Sequence, residues 1–101
     1  PGAYYLFFVK DVSTETDDWL NNFVAIYNYA KNKSIPLFIV TAQPTAAQGF
    51  FNEKNHYDLP VLSLDATALK TAARTTPELY LMNGPVVENK WGWADFKKVV
   101  K

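Results

Sequence analysis

With no cysteine anywhere in the chain, nucleophilic chemistry would fall to hydroxyl groups, and these gather before one predicted helix as Ser13, Thr14 and Thr16. A serine- or threonine-based enzyme built on Ser13 or Thr16 would need a neighbouring base, and the surrounding sequence supplies none. Two other roles suit the same residues. The N-terminal turn of a helix presents unpaired amide N–H groups that hold an anion or the end of a peptide. Side-chain oxygens of Ser and Thr also cap those amides, and Thr14-x-x-Asp17 has the spacing of a capping box in its Asp form. Capping alone accounts for all three. Thr76-Pro77 is a second point of interest, a proline turn that ends a predicted helix and sets up a predicted strand.

Other combinations carry less. His56 is the single histidine, and with only Glu53 and Asp58 near it falls short of a metal-ligand set. Asp17 with Asp18, or Asp58 with Asp65, would form paired carboxylates, but each has a capping or loop role and no nucleophile beside it. The four glycines stand at Gly2, Gly49, Gly84 and Gly92, too dispersed for a phosphate-binding loop. The sequence therefore predicts no catalytic residue, no metal and no cofactor.

Composition narrows the field further. A chain of 101 residues with 49% hydrophobic and 20% charged side chains fits one globular domain, spanning 1–101. Ten basic and ten acidic residues cancel, which removes the cationic surplus that nucleic acid requires. Missing cysteine excludes disulfides, thiol catalysis and thiolate metal ligands together. The apolar runs at 3–9 and 36–40 are far below the ~20 residues of a membrane-spanning helix. The sequence opens at Pro1 with neither methionine nor a signal-like segment, so the expectation is a domain cut from a longer chain.

The elements that would position these residues follow from periodicity. Residues 3–9 are apolar without alternation, which predicts a strand buried on both faces. Trp19, Leu20, Phe23, Val24, Ile26, Tyr27 and Ala30 form a stripe of helical period that ends near Lys31, Asn32 and Lys33. Residues 35–41 predict a second strand. Pro44 suits the opening of a helix with Ala46, Ala47, Phe50 and Phe51 inward, weakened by Gly49. Residues 59–64 predict a third strand, and Asp65 caps a helix over 66–74 that buries Leu69, Ala72 and Ala73. Strands at 78–82 and 86–91 flank Asn83-Gly84-Pro85, a hairpin signal. A last helix over 93–100 turns Trp93, Phe96, Val99 and Val100 inward. Trp91-Gly92-Trp93 either plugs the end of the core or, if exposed, makes an interaction patch. Three crossover units and a hairpin imply an α/β fold: a mixed five-stranded sheet with a C-terminal antiparallel hairpin and helices on both faces.

This order, with Thr76-Pro77 ahead of a strand and Asn83-Gly84 in the following hairpin, resembles the thioredoxin-like fold, a three-layer α/β/α sandwich. It most resembles the branch of TlpA-type and peroxiredoxin-type proteins. The residues that carry the likeness are Pro60-Val61-Leu62-Ser63-Leu64-Asp65, the helix from Ala66 to Arg74, and Thr76-Pro77 through Gly84. A narrower likeness, through 64–71, 78–83, Asn89-Lys90-Trp91 and Asp95, is to the soluble C-terminal domain of DoxX-like membrane proteins of Bacteroidetes. The resemblance places Ser13-Thr14-Glu15-Thr16 where redox-active relatives carry a cysteine pair, and implies a cis bond at Thr76-Pro77. A hydroxyl there has a pKa far too high to exchange disulfides.

The resemblance therefore implies a redox-inactive binding or scaffolding domain that is not an enzyme. Ser13, Thr14, Thr16, Thr76 and Pro77 would form the rim that receives a protein or peptide. A membrane region in the same full-length chain would hold the domain on the extracytoplasmic side. A divergent enzyme using hydroxyl residues and a purely structural appendage are the alternatives.

Overall fold

A computed structural model of the chain describes residues 2–10, 17–72 and 77–99. Five strands form one sheet in the order β3-β2-β1-β4-β5: β1 Ala3–Phe8, β2 Leu37–Thr41, β3 Val61–Ser63, β4 Glu78–Asn83 and β5 Val86–Gly92. The first three run parallel, with Phe7 beside Ile39 and Ile39 beside Val61. β4 is antiparallel to β1 and β5 antiparallel to β4. This is the mixed sheet with a C-terminal hairpin that the alternating pattern predicts. Helix α1 covers Asp17–Asn32 and α3 covers Ala66–Ala72, while α2, Pro44–Ala47, runs straight on into a π-helix over Gln48–Lys54. A 3₁₀ helix, Trp93–Lys98, follows β5.

The helices are distributed unevenly. Tyr5, Phe7, Val9, Leu37, Ile39 and Leu79 share a buried core with Trp19, Phe23, Ile26 and Ala30 of α1, with Ala47 and Phe51, and with Phe96 and Val99. On the opposite face Phe8, Val40 and Leu69 of α3 form a smaller buried cluster, with Leu6, Ala42, Leu64 and Tyr80 partly buried against it. Residues 3–9 are thus not buried on both faces throughout. Tyr4 and Leu6 stay half-buried. The alternation of burial that a one-sided sheet produces is masked in the sequence, since both faces of β1 are apolar.

Phe7 is the centre of the larger core. Its ring lies 4.7 Å from that of Phe23, 5.3 Å from Trp19, 5.7 Å from Phe96 and 6.0 Å from Phe51. These are tilted or edge-on arrangements, which aromatic quadrupoles favour over flat stacking.

Local chemistry sets the ends of the elements. Pro36 and Pro60 stand just before β2 and β3, where each offers only a carbonyl: Tyr5 N–H donates to Pro36 O at 2.8 Å and Ile39 N–H to Pro60 O at 2.9 Å. Both strands are shorter than the apolar runs suggest for that reason. Asp65 caps α3, its carboxylate accepting from the N–H groups of Thr67 and Ala68 at 3.1 and 3.2 Å. Gly84 adopts φ +59 at the first of two turn residues between β4 and β5, as a tight hairpin requires. Helix α1 ends with Ser34 N–H donating to Lys31 O and Ile35 N–H to Ala30 O, a paired C-terminal cap with Ser34 at φ 58. Glycine is the usual residue there. Ser34→Gly relieves the left-handed strain of an L side chain and is expected to stabilise the fold by about 1 kcal/mol, read as a rise in the urea midpoint.

Three expectations about the helices change. The second helix is α-helical only over Pro44–Ala47 before widening, and the space beside Gly49 is open, so its glycine meets no crowding. The wider turn keeps Ala47 and Phe51 buried while Phe50 lies partly covered beside Trp19, 6.2 Å between ring centroids. The last helix is 3₁₀, with three residues per turn, so Trp93, Phe96 and Val99 fall in one row. Phe96 and Val99 are buried, but Trp93 at the head of the row is 40% exposed and not inward. Ala73 and Val100 lie outside the described residues, as does the side chain of Ala72.

Burial pushes the Tyr5 hydroxyl above its ordinary pKa of 10.0, with the Tyr29 phenol adding to the shift. Burial raises Tyr57 likewise, with Tyr27 contributing. A raised phenol pKa favours the protonated form in the folded state, so this stabilisation is complete below about pH 10 and is lost as pH climbs through the folded-state values. Urea midpoints are expected to be level from about pH 7 to 9 and to fall above about pH 10, less steeply in Tyr5→Phe.

Candidate functional site

In open parallel sheets, ligands meet the crevice beyond the carboxyl ends of the strands. Here Phe8 at the end of β1 stands beside Val40 of β2 on one side and beside Glu78, the first residue of β4, on the other. Glu78 in turn pairs with Gly92 at the end of β5. This end of the sheet therefore brings together Val9 and Lys10, the start of the 41–43 segment, Asp65 ahead of α3, Pro77, and the Gly92-Trp93 junction. Val9 is buried and its N–H donates to Val40 O at 3.0 Å. Thr41, the buried polar residue of the core, accepts from the Gln43 N–H through its hydroxyl at 3.1 Å.

Of the five predicted rim residues, Pro77 is described and buried. Ser13, Thr14, Thr16 and Thr76 lie outside the described residues, as does the peptide bond between Thr76 and Pro77. The strand ends that bracket them, Phe8 and Glu78, are neighbours in the sheet. Trp93 belongs to the same end and was not among the predicted rim residues. No reliable signal for it stood in the sequence: a two-residue turn at Gly84-Pro85 pairs Asn83 with Val86 and by simple counting sets Trp91 opposite Glu78, and only the irregularity at Leu81/Met82 brings Gly92 there instead and Trp93 past the end of the pairing. Trp91, by contrast, is half-buried against the core.

The chemistry within reach of this end is that of contact, not of bond-making. The Asp65 carboxylate is occupied by the amides of its own helix. His56, the sole imidazole of the chain, is exposed in the segment leading into the other end of β3, where it lines a cleft with Tyr27, Ile35 and Leu37. It is therefore at the opposite end of the parallel strands from Lys10 and Pro77. Among the described residues no group of three or more His, Asp or Glu side chains is placed to hold a metal ion. No described helix is long and apolar enough to cross a membrane.

Known structures share this architecture. StoA from Bacillus subtilis superimposes with a TM-score of 0.61 at 18% identity, over 96% of this chain and 81% of that one. An uncharacterised conserved protein from Geobacillus kaustophilus gives a TM-score of 0.57 at 14% identity, over 81% of this chain and 49% of that one. No family model and no curated protein sequence matches the chain. At these identities the likeness is one of fold, and the fold is thioredoxin-like.

Proposed function

We propose that this chain is a redox-inactive thioredoxin-like domain whose task is to hold a protein or peptide segment at the carboxyl end of its sheet. The observation that carries the proposal is the conjunction of a thioredoxin-like fold with a sequence that contains no cysteine. Disulfide exchange needs a thiolate, and a hydroxyl at the same place does not replace it. The arrangement of this strand end favours binding, since an extended segment laid across it would meet Lys10, Glu78 and the exposed Trp93. Exposed indole is a common anchor at such surfaces. No imidazole base stands near Ser13 or Thr16 in the sequence, which argues against an enzyme that uses either hydroxyl.

The finer placement also belongs to this proposal. The likeness of 64–71, 78–83 and Asn89-Lys90-Trp91 to DoxX-like proteins of Bacteroidetes supports a domain carried on the extracytoplasmic side by a membrane region elsewhere in the full-length chain. The binding role is tested by adding an unfolded, reduced and alkylated polypeptide to ¹⁵N-labelled domain and following amide signals. Shifts concentrated at Lys10, 13–16, Thr76, Glu78 and Trp93 are expected. Signals there that stay unmoved at millimolar polypeptide would overturn the reading.

A further inference from the structure

A second surface lies at the far edge of the sheet. Among the described residues β3 has a neighbour on one side only. Its ladder with β2 uses Pro60 O, which accepts from Ile39 N–H, and Leu64 N–H, which donates to Thr41 O. In a parallel ladder alternate residues turn their backbone groups to opposite sides, so Val61 and Ser63 direct N–H and C=O away from the sheet. Beside this edge is a cleft of about 760 Å³ lined by Thr45, Gln48, Asn52, Glu53, Asp58 and Val61 among others. Its floor is held firmly. The Asn52 amide binds the Leu59 backbone in both directions, accepting from its N–H at 2.6 Å and donating to its carbonyl at 2.8 Å.

The charge of the cleft is one-sided. Glu53 and Asp58 are exposed carboxylates and no lysine or arginine lines the cleft with them. The adjacent Lys54 has its ammonium over the Phe50 ring, 6.0 Å from the centroid. Among the described residues the recorded ion pair is Lys98 with Asp95, so neither cleft carboxylate has a cationic partner. From the open edge, the cleft and this charge we infer that β3 receives a short extended peptide segment bearing lysine or arginine, which adds as a further strand. The outward groups of Val61 and Ser63 supply the main-chain bonds, and Glu53 and Asp58 select the cation. A three-residue strand entered through proline resists edge-to-edge aggregation, yet offers enough for a short segment. This surface is separate from the carboxyl-end rim, and either stands without the other.

The test uses the folded domain with two fluorescein-labelled hexapeptides, one alternating valine and lysine, the other valine and glutamate. The lysine peptide is expected to shift the amides of Val61 and Ser63 and to bind about three- to tenfold more weakly to the double variant Glu53→Gln, Asp58→Asn, the range that two exposed ion pairs supply. Binding should also weaken as salt shortens the screening length. Ser63→Pro, which removes an outward N–H at an exposed position, should lower affinity with the circular dichroism of the fold retained; should that variant misfold, the double variant decides. Equal binding of the two peptides, affinity indifferent to the double variant, or shifts confined to the Tyr4–Phe38 face would overturn the inference.

Discussion

Phe7→Ala is expected to destabilise the fold by about 3–5 kcal/mol, the range for removing a fully enclosed aromatic ring. Phe7 is 0% exposed and touches the rings of Trp19, Phe23, Phe51 and Phe96, which come from α1, the π-helix and the 3₁₀ helix. These rings also pack on one another, Phe23 with Phe51 at 5.2 Å and Trp19 with Phe51 at 6.2 Å, so the cavity is walled by side chains fixed on several elements and cannot close by the shift of a single neighbour. Domains of this size hold roughly 5–15 kcal/mol in total, and the loss should lower Tm by roughly 15–30 °C. Phe38→Ala serves as the comparison. Phe38 is half-buried on the thinly covered face, edge-on to Tyr4 at 6.0 Å, and its loss should cost only about 1–2 kcal/mol. Equal losses in urea melts of the two variants would contradict the one-sided core.

Asn52→Ala is expected to cost about 2–4 kcal/mol, although the residue is polar and only half-buried. Its amide completes the backbone of Leu59 as a strand would, and its N–H₂ also donates to Gln48 Oε1 at 2.6 Å. Leu59 is itself 9% exposed, so truncation leaves a covered N–H and C=O with no partner, at about 1–3 kcal/mol for each group left unsatisfied. Asn52→Asp separates the two halves of the interaction. A carboxylate still accepts from Leu59 N–H but repels Leu59 O, so its stability should lie between wild type and the alanine variant. An Asp variant as stable as wild type in urea melts would show that the donated bond contributes nothing.

The order of elements was legible because period and punctuation agree along most of the chain. Trp19, Phe23, Ile26 and Ala30 mark one helix face unambiguously, and all four are buried. The prolines and Gly84 mark boundaries through φ and the missing N–H, properties that do not depend on the rest of the fold. Other features depend on packing and were hidden for that reason. The π-helix had no such mark, because Ala47 and Phe51, both buried, stand four apart, a spacing that an ordinary helix also places on one face. The half-burial of Tyr4, Leu6 and Phe38 gave no sign in the sequence because both faces of these strands are apolar. At the candidate site, Pro77 was visible as a strand-opening proline, while Trp93 required the hairpin register. Asn52 gave no signal, because a side chain that imitates a strand is recognisable only once Leu59 is beside it.

The central claim is that a thioredoxin-like scaffold persists while the sulfur chemistry has gone. Ser13 and Thr16 have the two-residue separation of a dithiol pair, so the most direct measurement is turbidity from insulin reduction by dithiothreitol, catalysed by the Ser13→Cys, Thr16→Cys variant. Catalysis above the uncatalysed rate by the variant, with none by the natural chain, is the predicted result. A folded variant that forms its disulfide yet reduces no insulin, or a natural chain that reduces it unaided, would contradict the account.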